Sequence, residues 1–168
     1  MGHADHKHHA RNIRARVHVV TVSDTRTPDD DESGAFIKEA IAMEGHALAG
    51  YALLKDEPAQ IAAEVRRACA DEAVDAVIVN GGTGISTRDT TFEALDALLE
   101  RRIPGFGELF RFLSFREIGP SAMLSRATAG IVGGTLVFAM PGSADAVRLA
   151  MTKLVLPELS HALWEIRR

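Results

Sequence analysis

AVIVNGGTGISTRD, residues 76–89, joins a hydrophobic run to a glycine-rich turn. Ala76–Val79 is an unbroken apolar run, which is typical of a strand that is buried on both faces of a parallel sheet. Three glycines within Asn80–Gly84 then allow the backbone to turn sharply and to approach a ligand closely. Free N–H groups in such a turn can point at phosphate oxygens. The segment therefore predicts a strand that ends in a phosphate-sized loop.

Asp89 follows this loop, and a helix is predicted to begin directly after it. Thr90 and Glu93 have the spacing of a capping box, which would leave Asp89 free to hold Mg²⁺ beside the loop. Alternatively, Asp89 is itself the cap of the helix, because Asp is a favoured N-cap residue. The spacing alone leaves both interpretations open.

Composition places the chain among soluble globular proteins of one domain. Hydrophobic residues make up 46% of the 168 residues and charged residues 25%, which is ordinary for such a protein. The net charge of -4 argues against nucleic-acid binding, which normally needs a basic surface. No apolar run approaches the roughly 20 residues that span a bilayer, and no signal-peptide pattern is visible. With a single cysteine, Cys69, an internal disulfide is excluded, and we expect a cytoplasmic protein.

Residues 1–12 are predicted to be a disordered, histidine-rich tail. They carry four histidines and almost no apolar side chains, so they have nothing to bury. Histidine-rich tracts can bind metal, but without a folded scaffold such binding would be weak. The remaining residues, 13–168, are predicted to form a single domain.

The first half of the domain alternates predicted strands with predicted helices. Strands are expected at Val17–Val22, His46–Leu54 and Asp75–Asn80, and this β-α-β-α-β-α order predicts a parallel sheet with helices on both faces. Ligands bind such sheets beyond the carboxyl ends of the strands. Polar and glycine residues gather at those ends, which favours a site there: Ser23, Asp24, Asp56, Gly81–Gly84 and Asp89. For Asp56, a local alternative is the cap of the helix that starts near Pro58.

The second half is less regular. Phe106–Glu117 is predicted to be a helix whose four phenylalanines cover more than one face, so part of it is expected to be a subunit interface. Ser121–Ala129 is predicted to be a short helix that Gly130 ends. Thr135–Ala139 is predicted to be a fourth strand, which runs into the turn Met140–Ser143. A closing helix over Ala146–Leu154 and a last helical turn near Leu163 and Trp164 complete the chain.

Several common catalytic motifs are absent from the sequence. There is no P-loop, no GxGxxG after the first strand, no HExxH and no CxxC. Gly142-Ser143 does not lie in a GxSxG elbow. The sequence therefore predicts a phosphate-handling site without a protein nucleophile, which suits transfer between two substrates that bring their own reacting phosphates.

Seven motifs together resemble the molybdenum cofactor biosynthesis proteins of the MoaB/MogA family. They are VTVSDTRT, the DxSG of Asp31–Gly34, NGGTG followed by Asp89, GFGELFR, LSFREIG, SRATAG and FAMPGS. The resemblance runs from about Val17 to the C-terminus, and Gly105–Ser143 is most similar to the MoaB branch. It implies a three-layer α/β/α sandwich with a mostly parallel, mixed sheet, and a homotrimer or homohexamer. It also implies binding of molybdopterin, whose terminal phosphate, in the active members, attacks the α-phosphorus of Mg-ATP and releases pyrophosphate.

Residue roles are implied by the same resemblance. Asp56 and Asp89 match the two functional acids of the family, so they are the expected catalytic and Mg²⁺-binding residues, although the separate role of each stays open. The sequence departs from the family pattern at Phe92, where many members have proline. The expected substrate contacts are Ser23, Asp24, Asp31, Ser33, Gly81, Gly82, Thr83, Gly84, Ser125, Pro141, Gly142 and Ser143.

Two other functions remain open at this point. The chain could be a non-catalytic molybdopterin-binding or carrier protein of the same pathway, which would bind the pterin without turnover. It could also be a general nucleotide-binding module, which would bind ATP tightly without any pterin. Other cofactor-biosynthesis proteins are possible partners, whereas nucleic acid and membranes are not expected.

Overall fold

A six-stranded sheet is the centre of the computed structural model, which describes residues 13–168. The predicted tail, residues 1–12, lies outside the described residues. The strands in this part of the chain are β1 (Arg16–Val22), β2 (Ala47–Leu54), β3 (Ala76–Asn80), β4 (Arg101–Arg102), β5 (Thr128–Val132) and β6 (Thr135–Met140). The α-helices are α1 (Glu32–Met43), α2 (Pro58–Cys69), α3 (Thr91–Asp96), α4 (Pro104–Ile118), α5 (Ala144–Ala150) and α6 (Leu156–Arg167). A 3₁₀ turn over Gly119–Leu124 follows α4, and a π-helical stretch over Met151–Val155 joins α5 to α6.

The strand order is β2-β1-β3-β6-β5-β4. The first four of these strands are parallel, while β5 is antiparallel to β6 and β4 is antiparallel to β5. This confirms the predicted α/β fold with a mostly parallel, mixed sheet. The carboxyl ends of the four parallel strands therefore meet at one edge of the sheet.

Helices cover both faces of the sheet. Successive side chains of a strand point to opposite faces, so Val19 of β1 packs in the core that contains Ile37 and Leu159. Its neighbour Val20 packs in the opposite core, with Ile61 and Leu95. Helices α2 and α3 thus form one layer, and α1, α4, α5 and α6 form the other, which confirms the three-layer prediction. Among residues 13–168, none of the helices is long and apolar enough to cross a membrane.

The segment Ser121–Ala129 corrects the sequence prediction. The predicted helix is only a 3₁₀ turn that ends at Leu124, and β5 begins at Thr128. Gly130 is not a helix stop, because it lies within β5. Glycine is needed there because a side chain would lie 2.4 Å from the carbonyl oxygen of Arg101 on the paired strand β4. Gly133 and Gly134, with φ of +56° and +90°, form the two-residue turn between β5 and β6, as tight hairpins require.

The end of the chain also differs from the prediction. Instead of a last helical turn, α6 is a complete helix of 12 residues. Pro157 stands in its first turn and has no N–H to donate to the preceding stretch, whereas the N–H of Leu156 reaches back to the carbonyl oxygen of Met151. The π-helical stretch connects α5 to α6 without a break in helical structure.

Candidate functional site

The carboxyl edge of the sheet brings together loops from four strands. Asp24 after β1 accepts a hydrogen bond from the backbone N–H of Asp56 after β2, at 3.1 Å. The N–H of Gly81 after β3 donates to the carbonyl oxygen of Met140 at the end of β6, at 2.9 Å. Gly142 lies against Gly81, whose Cα would be 3.1 Å from a Cβ on Gly142. The clustering that was predicted from the order of the strands is therefore present.

The turn after β3 requires glycine at its first two positions. Gly81 has φ of +102° and Gly82 has φ of +65°, values that other residues rarely adopt. A side chain on Gly81 would lie 2.1 Å from the carbonyl oxygen of Val22. One on Gly82 would lie 2.2 Å from the hydroxyl of Thr91. The turn is thus packed closely against β1 and the start of α3.

This turn presents unpaired hydrogen-bond donors. Within residues 13–168, the N–H groups of Gly82, Thr83 and Gly84 donate no hydrogen bond. The hydroxyls of Thr83 and Thr91 are buried and likewise have no partner in the described part of the chain. Consecutive N–H groups and hydroxyls of this kind can coordinate an anion such as phosphate.

Asp56 is bound to the segment that precedes α3. Its Oδ1 accepts the N–H of Thr90 at 3.0 Å and the hydroxyl of Thr90 at 2.5 Å. The residue is 7% exposed, and its Oδ2 faces Gly82, where a Cβ would lie 2.4 Å away. The local alternative, in which Asp56 caps α2, is wrong, because Glu57 precedes that helix and no side chain caps it.

Asp89 closes a turn instead of capping a helix. Its Oδ2 accepts the N–H of Ser86 at 2.8 Å, and its Oδ1 accepts no hydrogen bond from residues 13–168. The predicted capping box of Thr90 and Glu93 is also wrong, since Thr90 makes no side-chain cap bond and Glu93 pairs with Arg126. Asp89 is thus satisfied within its own turn, whereas Thr90 and Glu93 bind Asp56 and Arg126 from distant segments.

Arg88 lies at the outer side of the site. Its Nε and Nη2 donate to Oδ2 of Asp24 at 3.1 and 2.9 Å. These bonds, followed by the N–H of Asp56, lower the pKa of Asp24 below its ordinary value. Asp24 therefore stays charged and links the loops after β1, β2 and β3.

Asp31 and Ser33 lie beneath the exposed edge. Oδ2 of Asp31 accepts the hydroxyls of Thr21 and Tyr51, at 2.6 and 2.8 Å, while the hydroxyl of Ser33 donates to the carbonyl oxygen of Gly142 at 2.8 Å. Burial opposes the charged form of Asp31, but its hydrogen bonds together hold its pKa below the ordinary value. Burial, together with the Asp31 carboxylate, raises the pKa of Tyr51 to about 12, so the Tyr51 hydroxyl remains a donor.

The donor set for a metal ion is small. No group of three or more His, Cys, Asp or Glu residues that could hold a metal occurs in residues 13–168. Mg²⁺, however, is usually held by only one or two carboxylates together with substrate phosphates and water. Oδ1 of Asp89 and Oδ2 of Asp56, neither of which accepts a hydrogen bond from the described residues, fit that requirement.

Two cavities adjoin this edge. One has a volume of 460 Å³ and is lined by Asp89, Thr90, Glu93 and Arg126, among others. Ser125 lies in the other, of 410 Å³, which Arg126 also lines. The Ser125 hydroxyl accepts the N–H of Ala127 at 3.3 Å, and the next residue, Arg126, donates its N–H to the carbonyl oxygen of Thr83 in the glycine turn. Pro141 is half-buried and Ser143 is exposed at the turn after β6.

Four residues at the site were not predicted from the sequence: Arg88, Thr90, Thr91 and Arg126. For Thr90 and Thr91 the sequence predicts only the start of a helix. Arg126 follows the predicted Ser125 within SRATAG, so the motif itself could have indicated it as a site residue. Its partners lie more than 30 positions away in the chain, which no local spacing reveals.

Comparison with known proteins identifies the family. Residues 18–161 match the family described as a probable molybdopterin binding domain. The molybdenum cofactor biosynthesis protein B of Bacillus subtilis is 49% identical over 165 residues, which cover 98% of this chain and 96% of that protein. The chain belongs to the MoaB family. The matched range contains every predicted site residue from Ser23 to Ser143.

Solved structures of MoaB proteins have the same fold as this MoaB-family chain. A crystal structure of molybdenum cofactor biosynthesis protein B has a TM-score of 0.90 at 50% identity, covering 93% of this chain and 98% of that one. The Thermus thermophilus protein described as the molybdopterin biosynthesis enzyme MoaB has a TM-score of 0.80 at 39% identity, covering 90% and 96%. The similarity therefore extends over the whole domain.

Proposed function

We propose that this MoaB-family protein is a molybdopterin adenylyltransferase. It binds molybdopterin and transfers AMP from Mg-ATP to the terminal phosphate of the pterin. The observation that carries the proposal is the turn Gly82–Gly84, whose three N–H groups are unpaired beside Asp89. The description of the Thermus thermophilus relative as an enzyme also supports a catalytic function.

The reaction needs hydrogen-bond donors to phosphate oxygens more than it needs a strong general base. An oxygen of the pterin phosphate attacks the α-phosphorus of ATP, a new P–O–P bond forms, and the bond to pyrophosphate breaks. The nucleophile is already an anion, so the main barrier is the approach of negatively charged groups. The N–H groups of Gly82–Gly84 and the hydroxyl of Thr83 would donate to phosphate oxygens and stabilise charge that develops there.

Asp89 and Asp56 would hold Mg²⁺ through the oxygens that accept no hydrogen bond. When bound, the ion would offset phosphate charge and orient the leaving group. Ser86 keeps the Asp89 carboxylate oriented through its N–H at 2.8 Å, and Thr90 does the same for Asp56.

The second candidate is a non-catalytic molybdopterin-binding protein of the same pathway. The observation that favours it is the near-complete burial of Asp56, whose Oδ1 is taken by two hydrogen bonds from Thr90. In that case Asp56 would only position the loop. Both candidates predict pterin binding at the same edge, and they differ in turnover.

Replacing Asp89 by Asn tests the catalytic proposal. Asn retains the oxygen that accepts the Ser86 N–H, so fold and pterin affinity should be retained. Loss of the charge that would hold Mg²⁺ should lower the rate on the order of a thousandfold, which corresponds to about 4 kcal/mol of transition-state stabilisation. The measurement is pyrophosphate release with molybdopterin and Mg-ATP, and pterin binding is measured by calorimetry on the same preparation.

Asp71→Asn is the matched control. Asp71 also accepts a backbone N–H in a turn, that of Ala73 at 2.8 Å, but it lies at the amino edge of the sheet. Its variant should keep the parent rate. Parent turnover in Asp89→Asn would refute the carboxylate mechanism, and pterin binding without pyrophosphate release by the parent protein would favour the carrier candidate.

A further inference from the structure

Arg126 joins both ends of the loop that follows the glycine turn. Its Nε donates to the carbonyl oxygen of Gly84 at 2.7 Å, and its Nη2 donates to the carbonyl oxygen of Asp89 at 2.8 Å. The backbone N–H of Arg126 donates to the carbonyl oxygen of Thr83 at 2.9 Å. One residue from the segment before β5 thus holds the loop at three points.

The guanidinium is itself fixed from the other side. Its Nη1 pairs with the carboxylate of Glu93, and its central carbon lies 5.2 Å from the ring centroid of Phe92. A planar guanidinium that forms several directed bonds and stacks on a ring loses little further freedom.

The loop has little other support. Residues 85–88 are exposed, and the internal contact that closes them is the turn between Ser86 and Asp89. Arg88 adds only an exposed pair with Asp24 and Glu57. Segments with few buried contacts and exposed hydrogen bonds open readily, so the bonds of Arg126 are the main constraint between Gly84 and Asp89.

We propose that Arg126 is a positioning residue, which keeps the Gly82–Gly84 N–H groups and the Asp89 carboxylate in fixed relation before a phosphate-bearing ligand binds. For its effect on the reaction, this inference rests on the proposed adenylyl transfer. Its structural part does not, because the loop is held without any ligand. Preorganised donors avoid the cost of ordering when the ligand binds, and a misplacement of about 1 Å can lower a rate on the order of a hundredfold.

Hydrogen exchange of the Ser86 and Asp89 amides in the protein without ligand tests the structural part. In Arg126→Gln we expect exchange to be at least about tenfold faster at these amides, while the amides of β3 keep the parent rate. Arg126→Lys can restore one of the bonds to the loop, so its exchange rates at these amides should lie between those of the parent and those of Arg126→Gln. Phe92→Leu keeps the helix and removes the ring, so exchange at these amides should become faster, but less so than in Arg126→Gln.

Arg67→Gln is the matched control. Arg67 forms a two-point pair with Glu64 on α2, at 3.0 and 2.6 Å, and contacts no residue of the loop. It should leave exchange in the loop unchanged. Loop exchange at the parent rate in Arg126→Gln would overturn the proposal, and so would an equal rise in β3, which would indicate a general loss of stability.

Pyrophosphate release tests the effect on the reaction. Arg126→Gln should lower turnover on the order of a hundredfold, mainly in kcat. Parent turnover despite faster loop exchange would overturn the positioning role. If the parent protein itself releases no pyrophosphate, the adenylyl-transfer proposal fails, and the exchange measurement alone decides whether Arg126 holds the loop.

Discussion

Asp31 connects three elements through one buried carboxylate. Thr21 belongs to β1, Tyr51 to β2 and Gly34 to α1, and each donates to Asp31 at 3.0 Å or less. Asp31 is 3% exposed, so the charge is stable because these donors, together with the guanidinium of Arg26 at 3.5 Å, replace water. Gly34 must be glycine, because a side chain there would lie 2.1 Å from Oδ2 of Asp31. The DxSG motif is therefore explained by packing beneath the site.

Replacing Asp31 by Asn should make the free energy of unfolding depend less on pH. The amide nitrogen cannot accept the bonds of Thr21 and Tyr51, so the variant should lose on the order of 3 kcal/mol at pH 7. The pKa of Asp31 is lowered in the folded protein, so its stabilisation is present above the unfolded pKa of about 3.9 and is lost as pH falls through the folded pKa. The gap between parent and variant in urea unfolding should therefore narrow between pH 7 and pH 3.

Tyr51→Phe is the control for this prediction. It removes one donor and leaves the carboxylate, so it should cost about 1 kcal/mol at pH 7. An Asp31→Asn deficit that is as large at pH 3 as at pH 7 would show that the charge contributes nothing, and that the cost comes from packing alone.

Local spacing predicted residue roles only where the partners are close in the chain. Asp31 caps α1 by accepting the N–H of Gly34 three positions later, a spacing that is visible in the sequence. Asp56 binds Thr90, 34 positions away, so its spacing from Pro58 suggested a cap that does not exist. The residue type indicated a polar contact in both cases, but only the fold identified the partner.

At the scale of elements, α4 packs on the segment that carries Arg126. Gly107 allows the close approach, because a Cβ there would lie 2.4 Å from the carbonyl oxygen of Ala127. Nη1 of Arg111, one turn later, donates to the carbonyl oxygens of Ser125 and Ala127, each at 3.3 Å. The position of α4 therefore fixes the segment before β5 and, with it, Arg126.

Gly107→Ala should push α4 away from this segment. The added methyl group meets backbone and cannot be relieved by side-chain rotation, so we expect a loss of about 1–3 kcal/mol in the free energy of unfolding. Gly105→Ala on the same helix has open space around its Cβ and should be neutral or gain about 0.4–1 kcal/mol. Urea unfolding of the two variants checks this, and equal stabilities would contradict the packing argument.

The sequence predicted the central elements better than the edge of the sheet. Strands β1 and β3 are apolar on both faces because helices cover both, and this pattern is visible in the sequence. Strand β4 has two exposed residues, Arg101 and Arg102, and carries no such signal. The sequence does not predict strand β5, because Gly130 is typical of a helix stop, although the pair Gly133-Gly134 indicates the hairpin.

At the scale of the whole molecule, the phenylalanines of α4 divide into two groups. Phe106 and Phe110 are buried in the core, where the ring of Phe106 lies 5.4 Å from that of Phe138. Phe112 and Phe115 are 54% and 57% exposed. Leu109 and Ile118 extend this exposed apolar surface along the same helix. Core packing therefore accounts for only half of the aromatic residues in this helix.

The exposed phenylalanines of α4, Phe112 and Phe115, predict self-association. Clustered apolar surface of this kind marks interaction sites, and the expected homotrimer or homohexamer would cover it. We predict that light scattering gives a mass of three or six times the 18.1 kDa of one chain. Replacing both Phe112 and Phe115 by Ser removes aromatic area that the monomer does not use in its core, so the assembly should weaken while the monomer remains folded.

Met43→Ser separates this effect from a general loss of apolar surface. Met43 is 80% exposed at the end of α1, apart from the apolar residues of α4, and its variant should keep the parent mass. A parent protein that stays monomeric at micromolar concentration would refute the prediction. An unchanged mass in the Phe112 and Phe115 variant would instead place the contact between copies elsewhere on the surface, because a symmetric interface must lose the same side chains from every copy.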